Sequence, residues 1–216
     1  MMSKKIFFID FDGTITEKDA VNSMISKFCR DGWQKIGKLW EKGEITTEEC
    51  ANQIFELCTT TNINEIYSFL DTISIDSYFK KFVGLCESNN YPVFILSDGY
   101  EELIKYILNK NKIKNLKVYA NRMTIKNNRF YILSMYKNYN CGKCGTCKRQ
   151  LLNSLRTNNC QAVYIGDGRS DICVCRYADV LFAKNYLWQY CKQNSIPAIQ
   201  FNNFHDIINW AFKIKQ

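Results

Sequence analysis

The chain has 216 residues, 46% hydrophobic and 23% charged, with a formal net charge of +8. That is enough chain for one substantial core and a smaller lobe, and the balance is that of a globular enzyme. It excludes a membrane-spanning helix, because no run of about 18 apolar residues exists, and it gives no support to a nucleic-acid partner, because the lysines are dispersed among Asn and Ile (as from Lys105 to Lys117) and no binding motif accompanies them.

In chain order, Met1 to Lys5 lead straight into an apolar run, Ile6 to Ile9, that is too short for a signal peptide. A cytoplasmic location is the expectation. The run reads as a buried strand and ends on Asp10-Phe11-Asp12-Gly13-Thr14, two carboxylates one residue apart and then a glycine. From Asp19 to about Leu70 the pattern is helical throughout. Asp19 is placed to cap a helix carrying Val21, Met24, Ile25 and Phe28. Trp33, Ile36, Gly37 and Trp40 share one face of a second helix, which Gly43 ends. The two tryptophans suit either the insert's own core or the substrate side of the insert. Thr46 or Thr47 opens a third helix, and Asn62 or Asn64 a fourth.

Asp76 to Asn90 reads as a helix, and Tyr91 to Leu96 as a second buried strand ending in Ser97-Asp98-Gly99. The next helix has Glu101 and Glu102 in its first turn, where acids suit the helix dipole. Leu116 to Ala120 is a third strand, and Asn121 to Ile125 with Arg129 to Met135 a hairpin turned at Asn127-Asn128. A cysteine-rich loop, Tyr139 to Cys147, precedes a helix opened by Lys148. Gln161 to Ile165 is a strand ending in Gly166-Asp167-Gly168-Arg169-Ser170-Asp171. Then follow a strand at Asp179 to Ala183, a helix at Leu187 to Asn194, an edge strand at Pro197 to Gln200 and a last helix at Phe204 to Phe212. The single histidine, His205, reads as a helix-start residue. The alternation from Asp76 onward predicts an α/β fold, a Rossmann-like parallel sheet with helices on both faces, plus a small all-helical insert and a β-hairpin insertion.

In a parallel sheet the strand ends share one edge. Asp10, Asp12, Asp167 and Asp171 should therefore converge there with the Ser97 hydroxyl and the Lys148 ammonium. Close carboxylates repel one another without a cation, and hard oxygen donors suit Mg²⁺. A lysine beside such a metal makes a site for a dianion, most naturally a phosphate.

The set Asp10-x-Asp12-Gly13-Thr14, Ser97, Lys148 and Gly166-Asp167-Gly168-x-x-Asp171, in this order, resembles the motifs of the haloacid dehalogenase superfamily of phosphatases. The resemblance implies a core of residues 1–14 and 76–216, including the hairpin and cysteine-rich loop at 121–147, and a helical cap of residues 15–75. It implies Asp10 as nucleophile and Asp12 as general acid and base. Mg²⁺ would be held by Asp10, the Asp12 carbonyl and Asp167, with Asp171 as ligand or just behind. Ser97, with backbone N–H groups around Asp98 and Gly99, would hold the phosphoryl oxygens, and Lys148 would offset their charge. Further segments resemble the methionine-salvage phosphatases that act on 2-hydroxy-3-keto-5-methylthiopentenyl-1-phosphate. These are Cys141-Gly-Lys-Cys-Gly-Thr-Cys-Lys148, Tyr164 to Asp171, Ala178-Asp179 and Phe182 to Leu187. A looser resemblance is to phosphoserine phosphatases. The implied partner is a small phosphorylated metabolite, that enol phosphate or alternatively phosphoserine, with Asp19 and Arg30 as candidate substrate contacts. An Arg30 pointing into the cleft would favour phosphoserine. Two residues depart from the pattern: Asp98, where a small residue is expected, and Arg169, a bulky cation inside the last motif.

Eleven cysteines without an export signal suggest free thiols or a metal site rather than a disulfide framework. Cys141, Cys144 and Cys147 have the C-x₂-C-x₂-C spacing of zinc or iron–sulfur sites, with Cys160, Cys173 or Cys175 as a remote fourth ligand. With the basic surface, that would make a zinc- or nucleic-acid-binding module. The preferred reading is a tight loop that delivers Lys148, its cysteines packed as small side chains. A Cys141–Cys144 disulfide is a third reading.

Overall fold

The computed structural model describes residues 4–140 and 142–213. Its strands are β1 (Lys4–Ile9), β2 (Val93–Tyr100), β3 (Lys117–Lys126), β4 (Arg129–Leu133), β5 (Cys160–Gly166), β6 (Val180–Ala183) and β7 (Ile199–Gln200). They form one sheet in the order β4-β3-β2-β1-β5-β6-β7. All neighbours are parallel except β3 and β4. The chain leaves β1 toward β2 on one side and returns to β5 on the other. The carboxyl end of β1 therefore sits at the reversal of strand order, where a crevice opens in sheets of this kind.

The residues of β1 show why the sheet is covered on both faces. Phe7 and Ile9 point into one apolar cluster, and Ile6 and Phe8 into the other, as the alternation of a strand requires. The first cluster is closed by α5 (Phe79–Ser88), α6 (Glu101–Lys110) and α9 (Phe204–Phe212), and the second by α7 (Lys148–Leu155) and α8 (Asn185–Gln193). The α/β architecture read from the sequence is the one observed. Among the described residues no helix is long and apolar enough to cross a membrane.

Two expectations shift in detail. The third strand and the first arm of the hairpin are one continuous strand, β3. Its Asn121 still pairs with Tyr100 of β2, and the next residue, Arg122, pairs with Leu133 of β4. The backbone stays extended and changes partner, so no break separates the two. Asn127 and Asn128 form the turn at φ 47° and 58°, the left-handed pair that a two-residue hairpin needs. The helix expected from Asp76 begins at Phe79 instead. Asp76 accepts from the backbone N–H groups of Tyr78 and Phe204, each at 2.9 Å. It thus ties the starts of α5 and α9 together.

Between β1 and β2 lie α1 (Ala20–Phe28), α2 (Trp33–Lys42), α3 (Thr47–Phe55) and α4 (Ile63–Leu70). Asp19 caps α1 as read, and of the paired candidates Thr46, in a capping box with Glu49, opens α3 and Asn62 caps α4. Helices α3 and α4 of the insert are pinned to the rest of the chain. The Asn52 side chain of α3 accepts from the Ile132 N–H of β4 at 3.1 Å, and Phe55 packs on Phe130 with ring centroids 5.5 Å apart. Tyr67 of α4 stacks on Tyr106 of α6 at 4.2 Å, and Lys110 donates to the Ile73 carbonyl at 2.8 Å. Helix α2 differs: none of its residues is buried, and glycines flank it, Gly32 at φ 113° and Gly43 at φ 74°.

Candidate active site

The strand ends converge as the parallel topology demands. Asp10 continues the β1–β5 pairing, its N–H donating to the Ile165 carbonyl at 2.9 Å. Its carboxylate is buried and meets the Lys148 ammonium at 2.5 Å. Lys148 comes from the first turn of α7 and is itself fully buried. It also donates to Asp171 at 2.6 Å and to the Ser170 hydroxyl at 2.9 Å. Asp171 is satisfied on both oxygens. One accepts from Lys148 and, at 2.5 Å, from the Tyr164 hydroxyl; the other accepts from the N–H groups of Asp167 and Gly168, each at 3.0 Å. Asp171 thus holds the Gly166–Gly168 turn and Lys148 from behind.

Asp10, Asp12, Ser97 and Asp167 open into one cavity of about 770 Å³. Asp167 accepts from the Thr14 hydroxyl at 2.8 Å and from the Asn185 amide at 3.3 Å. Asp12 lies at the start of α1 and accepts from the Ala20 and Val21 N–H groups at 2.9 and 3.4 Å. At Ser97 the pairing of β2 with β3 breaks between Leu96 and Tyr100, an irregularity that re-aims side chains at a strand end. The Ser97 hydroxyl accepts from the Gly99 N–H at 2.9 Å. Two glycines are dictated by the crowding. A Cβ on Gly13, at φ +74°, would lie 2.5 Å from an Asp167 oxygen, and one on Gly99 would lie 2.7 Å from an Asp12 oxygen.

The charges are out of balance. Burial, then repulsion by Asp171, pushes the Asp10 carboxyl well above the usual carboxylate range against the opposing pull of Lys148. Burial and Asp171 raise Asp167 likewise. Burial and the nearby Asp19 push Asp12 up to about 8. Lys148 loses solvation, but Asp10 and Asp171 outweigh that and hold it charged. One ammonium does not neutralise this group. Asp10, Asp167 and Asp171 can each offer an oxygen within 4.8 Å of the others, and their hard donors and surplus negative charge fit a divalent cation.

Residues 5–204 match the model of the family described as "Putative Phosphatase". The chain belongs to this family. As a Putative Phosphatase family member it is a phosphoric monoester hydrolase. It is similar to proteins named 2-hydroxy-3-keto-5-methylthiopentenyl-1-phosphate phosphatase. That of Bacillus cereus (strain ATCC 10987 / NRS 248) is 30% identical over 207 residues, covering 94% of this chain and 93% of the relative. That of Bacillus thuringiensis (strain Al Hakam) is 30% identical over 206 residues, covering 93% and 92%. Among solved structures, a phospho-aspartyl intermediate analogue of phosphoserine phosphatase superposes with a TM-score of 0.71 at 17% identity, covering 96% of this chain and 99% of that one. A HAD family hydrolase from Salmonella enterica serovar Typhi gives 0.73 at 13% identity, covering 100% and 74%. These two show the fold, that of the haloacid dehalogenase hydrolases.

In this Putative Phosphatase member the remaining candidates separate. Asp19 lines the cavity while capping α1, and Trp33 and Trp40 line it too. Arg30 is not brought there; it is exposed and donates to the Glu56 carbonyl at 3.5 Å. Asp98 turns its carboxylate to the Thr146 N–H at 2.8 Å and the Thr47 hydroxyl at 2.8 Å. Thr47, Thr146, Asn121, Ser170, Tyr164 and Asn185 were not singled out as site residues; their one sequence signal is position beside a strand end or the cysteine loop. Cys141 lies outside the described residues. Cys147 is buried at the start of α7. Cys144 and Cys173 line a second cavity of about 260 Å³, and a hydrogen bond from Cys144 draws the Cys173 thiol down to about 7. Among the described residues, the group of three potential ligands within reach of one ion is the aspartate group, so a zinc module is not the reading the structure favours.

Proposed function

We propose that the chain hydrolyses small phosphomonoesters in two displacements at Asp10, with Mg²⁺ as cofactor. The observation that carries this is Lys148, buried between Asp10 and Asp171 directly behind the carboxylate that opens into the cavity. Asp10 attacks phosphorus, a new P–O bond forms, and the ester P–O bond breaks. Asp12, protonated at neutral pH because burial raises it to about 8, gives its proton to the departing alkoxide. Asp12 then takes a proton from water as that water attacks the aspartyl-phosphate. Phosphate leaves and Asp10 is restored. Ser97 and the N–H groups of the Asp98–Gly99 turn orient the phosphoryl oxygens, and Lys148 offsets their charge. Asp10, Asp167 and the Asp12 carbonyl would hold Mg²⁺, with Asp171 supporting; when bound, the ion neutralises charge on the phosphoryl group and its ligands.

The substrate reading is the methionine-salvage enol phosphate named for the relatives. Beyond the acids, the cavity wall has an apolar and aromatic part, Val21, Ile25, Trp33, Trp40, Ile54 and Tyr100, beside polar residues such as Gln34, Lys38 and Arg169. Such a wall suits a methylthio tail, and each buried methylene is worth about 0.8 kcal/mol. Phosphoserine is less well supported, because Arg30 is turned to the Glu56 carbonyl. Residues 15–75 act as a cap on the 1–14 and 76–216 core, and the setting is the cytoplasm. The test is turnover of the enol phosphate and of an aryl phosphate with Mg²⁺, against Asp10→Asn. The variant should lose all turnover. No turnover by the unaltered chain across a panel of metabolite phosphates would sink the proposal.

A further inference from the structure

Two cysteines outside the candidate active site, Cys29 and Cys58, are placed opposite each other by the backbone. Helix α1 ends at Phe28, and Cys29 turns extended at φ −109° and ψ 147°. Helix α3 ends at Phe55, and the chain comes back alongside, so that Cys29 and Cys58 form an isolated antiparallel bridge. The hydrogen bonds belong to their neighbours. The Arg30 N–H donates to the Leu57 carbonyl at 2.9 Å, and the Thr59 N–H to the Phe28 carbonyl at 2.8 Å. The Thr59 hydroxyl adds a second bond to Phe28 at 2.8 Å. Cys29 and Cys58 are therefore a non-hydrogen-bonded pair, the closer of the two antiparallel arrangements, with Cα atoms about 4.5 Å apart. That lies at the short end of the span a disulfide bridges, so a bond can close without backbone movement and should be readily reduced.

The side chains agree with the backbone. Both are thiols, and both are half-buried, packed on the core cluster with one side left open. The Cys58 thiol donates to the Cys29 sulfur. That bond draws the Cys29 thiol below its ordinary value against the effect of burial, and the same bond, with burial, keeps the proton on Cys58. The two thus differ as an attacking and a resolving thiol differ. Cys175 and Cys191 also meet, but both are buried and removed from any oxidant in solution.

We propose that Cys29 and Cys58 are a reversible modification site, oxidised by peroxide to a disulfide that ties the end of α1 to the end of α3. The Cys29 thiolate attacks peroxide; an S–O bond forms, the O–O bond breaks, and hydroxide leaves and is protonated to water. The Cys58 sulfur then attacks the Cys29 sulfenic acid. The S–S bond forms, the S–O bond breaks, and the hydroxyl departs with the Cys58 proton as a second water. Two thiols lose two electrons and the peroxide gains them. A dithiol reductant reverses the step by exchange. The bridge joins two helices that line the cavity: α1 gives the Ala20 and Val21 N–H groups that hold Asp12, and α3 gives Cys50, Ala51 and Ile54.

The test is made on the full reduced chain, treated with a small excess of hydrogen peroxide at neutral pH. Alkylation and mass mapping should find Cys29 linked to Cys58, with the loss of two hydrogens, and dithiothreitol should restore both thiols. Closing the loop of residues 29–58 should raise Tm by about 4–8 °C, a rise that Cys58→Ser lacks. In Cys58→Ser the Cys29 sulfur should be left as a sulfenic acid that dimedone traps, or as the sulfinic acid beyond it. In Cys29→Ser the Cys58 thiol should stay open to alkylation. Cys29 and Cys58 left as thiols in the unaltered chain while other cysteines pair or oxidise, as at Cys144 and Cys173, overturns the proposal. So does a linked chain whose Tm fails to rise, or an unoxidised Cys29 in Cys58→Ser. None of these readouts depends on turnover of a phosphate ester.

Discussion

At the scale of single residues, two carboxylates separated by Phe11 have been given different surroundings and hence different chemistry. Asp10 is paired with Lys148, while Asp12 is raised to about 8 by burial and by Asp19. An acid must be protonated to donate, and Asp12 holds its proton below that value. The kcat/KM for an alkyl phosphate should therefore fall as pH rises through the Asp12 value. Asp19→Asn removes the second cause of the upward shift while keeping an oxygen for the Asn22 N–H at the start of α1. It should move the alkaline limb to lower pH; a pH–rate profile that does not move would remove Asp12 from the acid role. The motif residues were legible because a strand ending in acids is visible along the chain. Lys148 was legible too, from the motif order and the shared sheet edge, although it is 138 residues from Asp10. The partners of Asp98 were not: Thr47 is 51 residues away, and nothing local to either marks the contact. Asp98 reads as an anomaly in the sequence and becomes intelligible once its neighbours from β3, the cysteine loop and α3 are in place.

At the scale of elements, helix starts were legible where a side chain caps them: at Asp19 to the residue, and at Thr46 and Asn62 as one of two candidates each. The start of α5 was not, because Asp76 serves tertiary structure instead of a local cap. It accepts from two backbone N–H groups on different helices, and the Phe204 bond is buried. An asparagine can keep one of these bonds and not both. Asp76→Asn should lower unfolding stability by about 1.5–3 kcal/mol, and Asp76→Ala by roughly twice that. Denaturant midpoints at constant slope would measure both; equal, small losses would show that the α5–α9 joint does not depend on this carboxylate. The run of β3 through Asn121 was hidden for a related reason. A strand that changes partners mid-length has no marker in its own residues.

At the scale of the molecule, the fold was legible as alternating apolar runs and helical periods, whereas the place of α2 was not: its tryptophans fit the insert's own core and the cavity wall equally well, and in the structure they serve both. The whole chain also carries the cost of its acidic centre. Raised pKa values for Asp10 and Asp167 mean that the ionised forms oppose folding above the ordinary carboxylate range, an effect that disappears as pH falls and the groups take up protons. Mg²⁺ should relieve it. At a hundredfold excess over its Kd the ion should add about 2.7 kcal/mol, raising Tm by about 5–10 °C for a chain of this size. Asp167→Asn should raise the Tm measured in chelator and abolish most of the Mg²⁺ increment. Identical melting with chelator and with Mg²⁺ would argue against a cation at these carboxylates. One further consequence lies far from the chemistry. One edge of the sheet is β4, and the Ile132 N–H there is met by Asn52 of the insert rather than by another strand. An unguarded edge of this kind recruits strands from other molecules. The insert is therefore also a shield against aggregation. A core cut free of residues 15–75 should be insoluble, and a graft of the insert onto a relative should need the hairpin to travel with it.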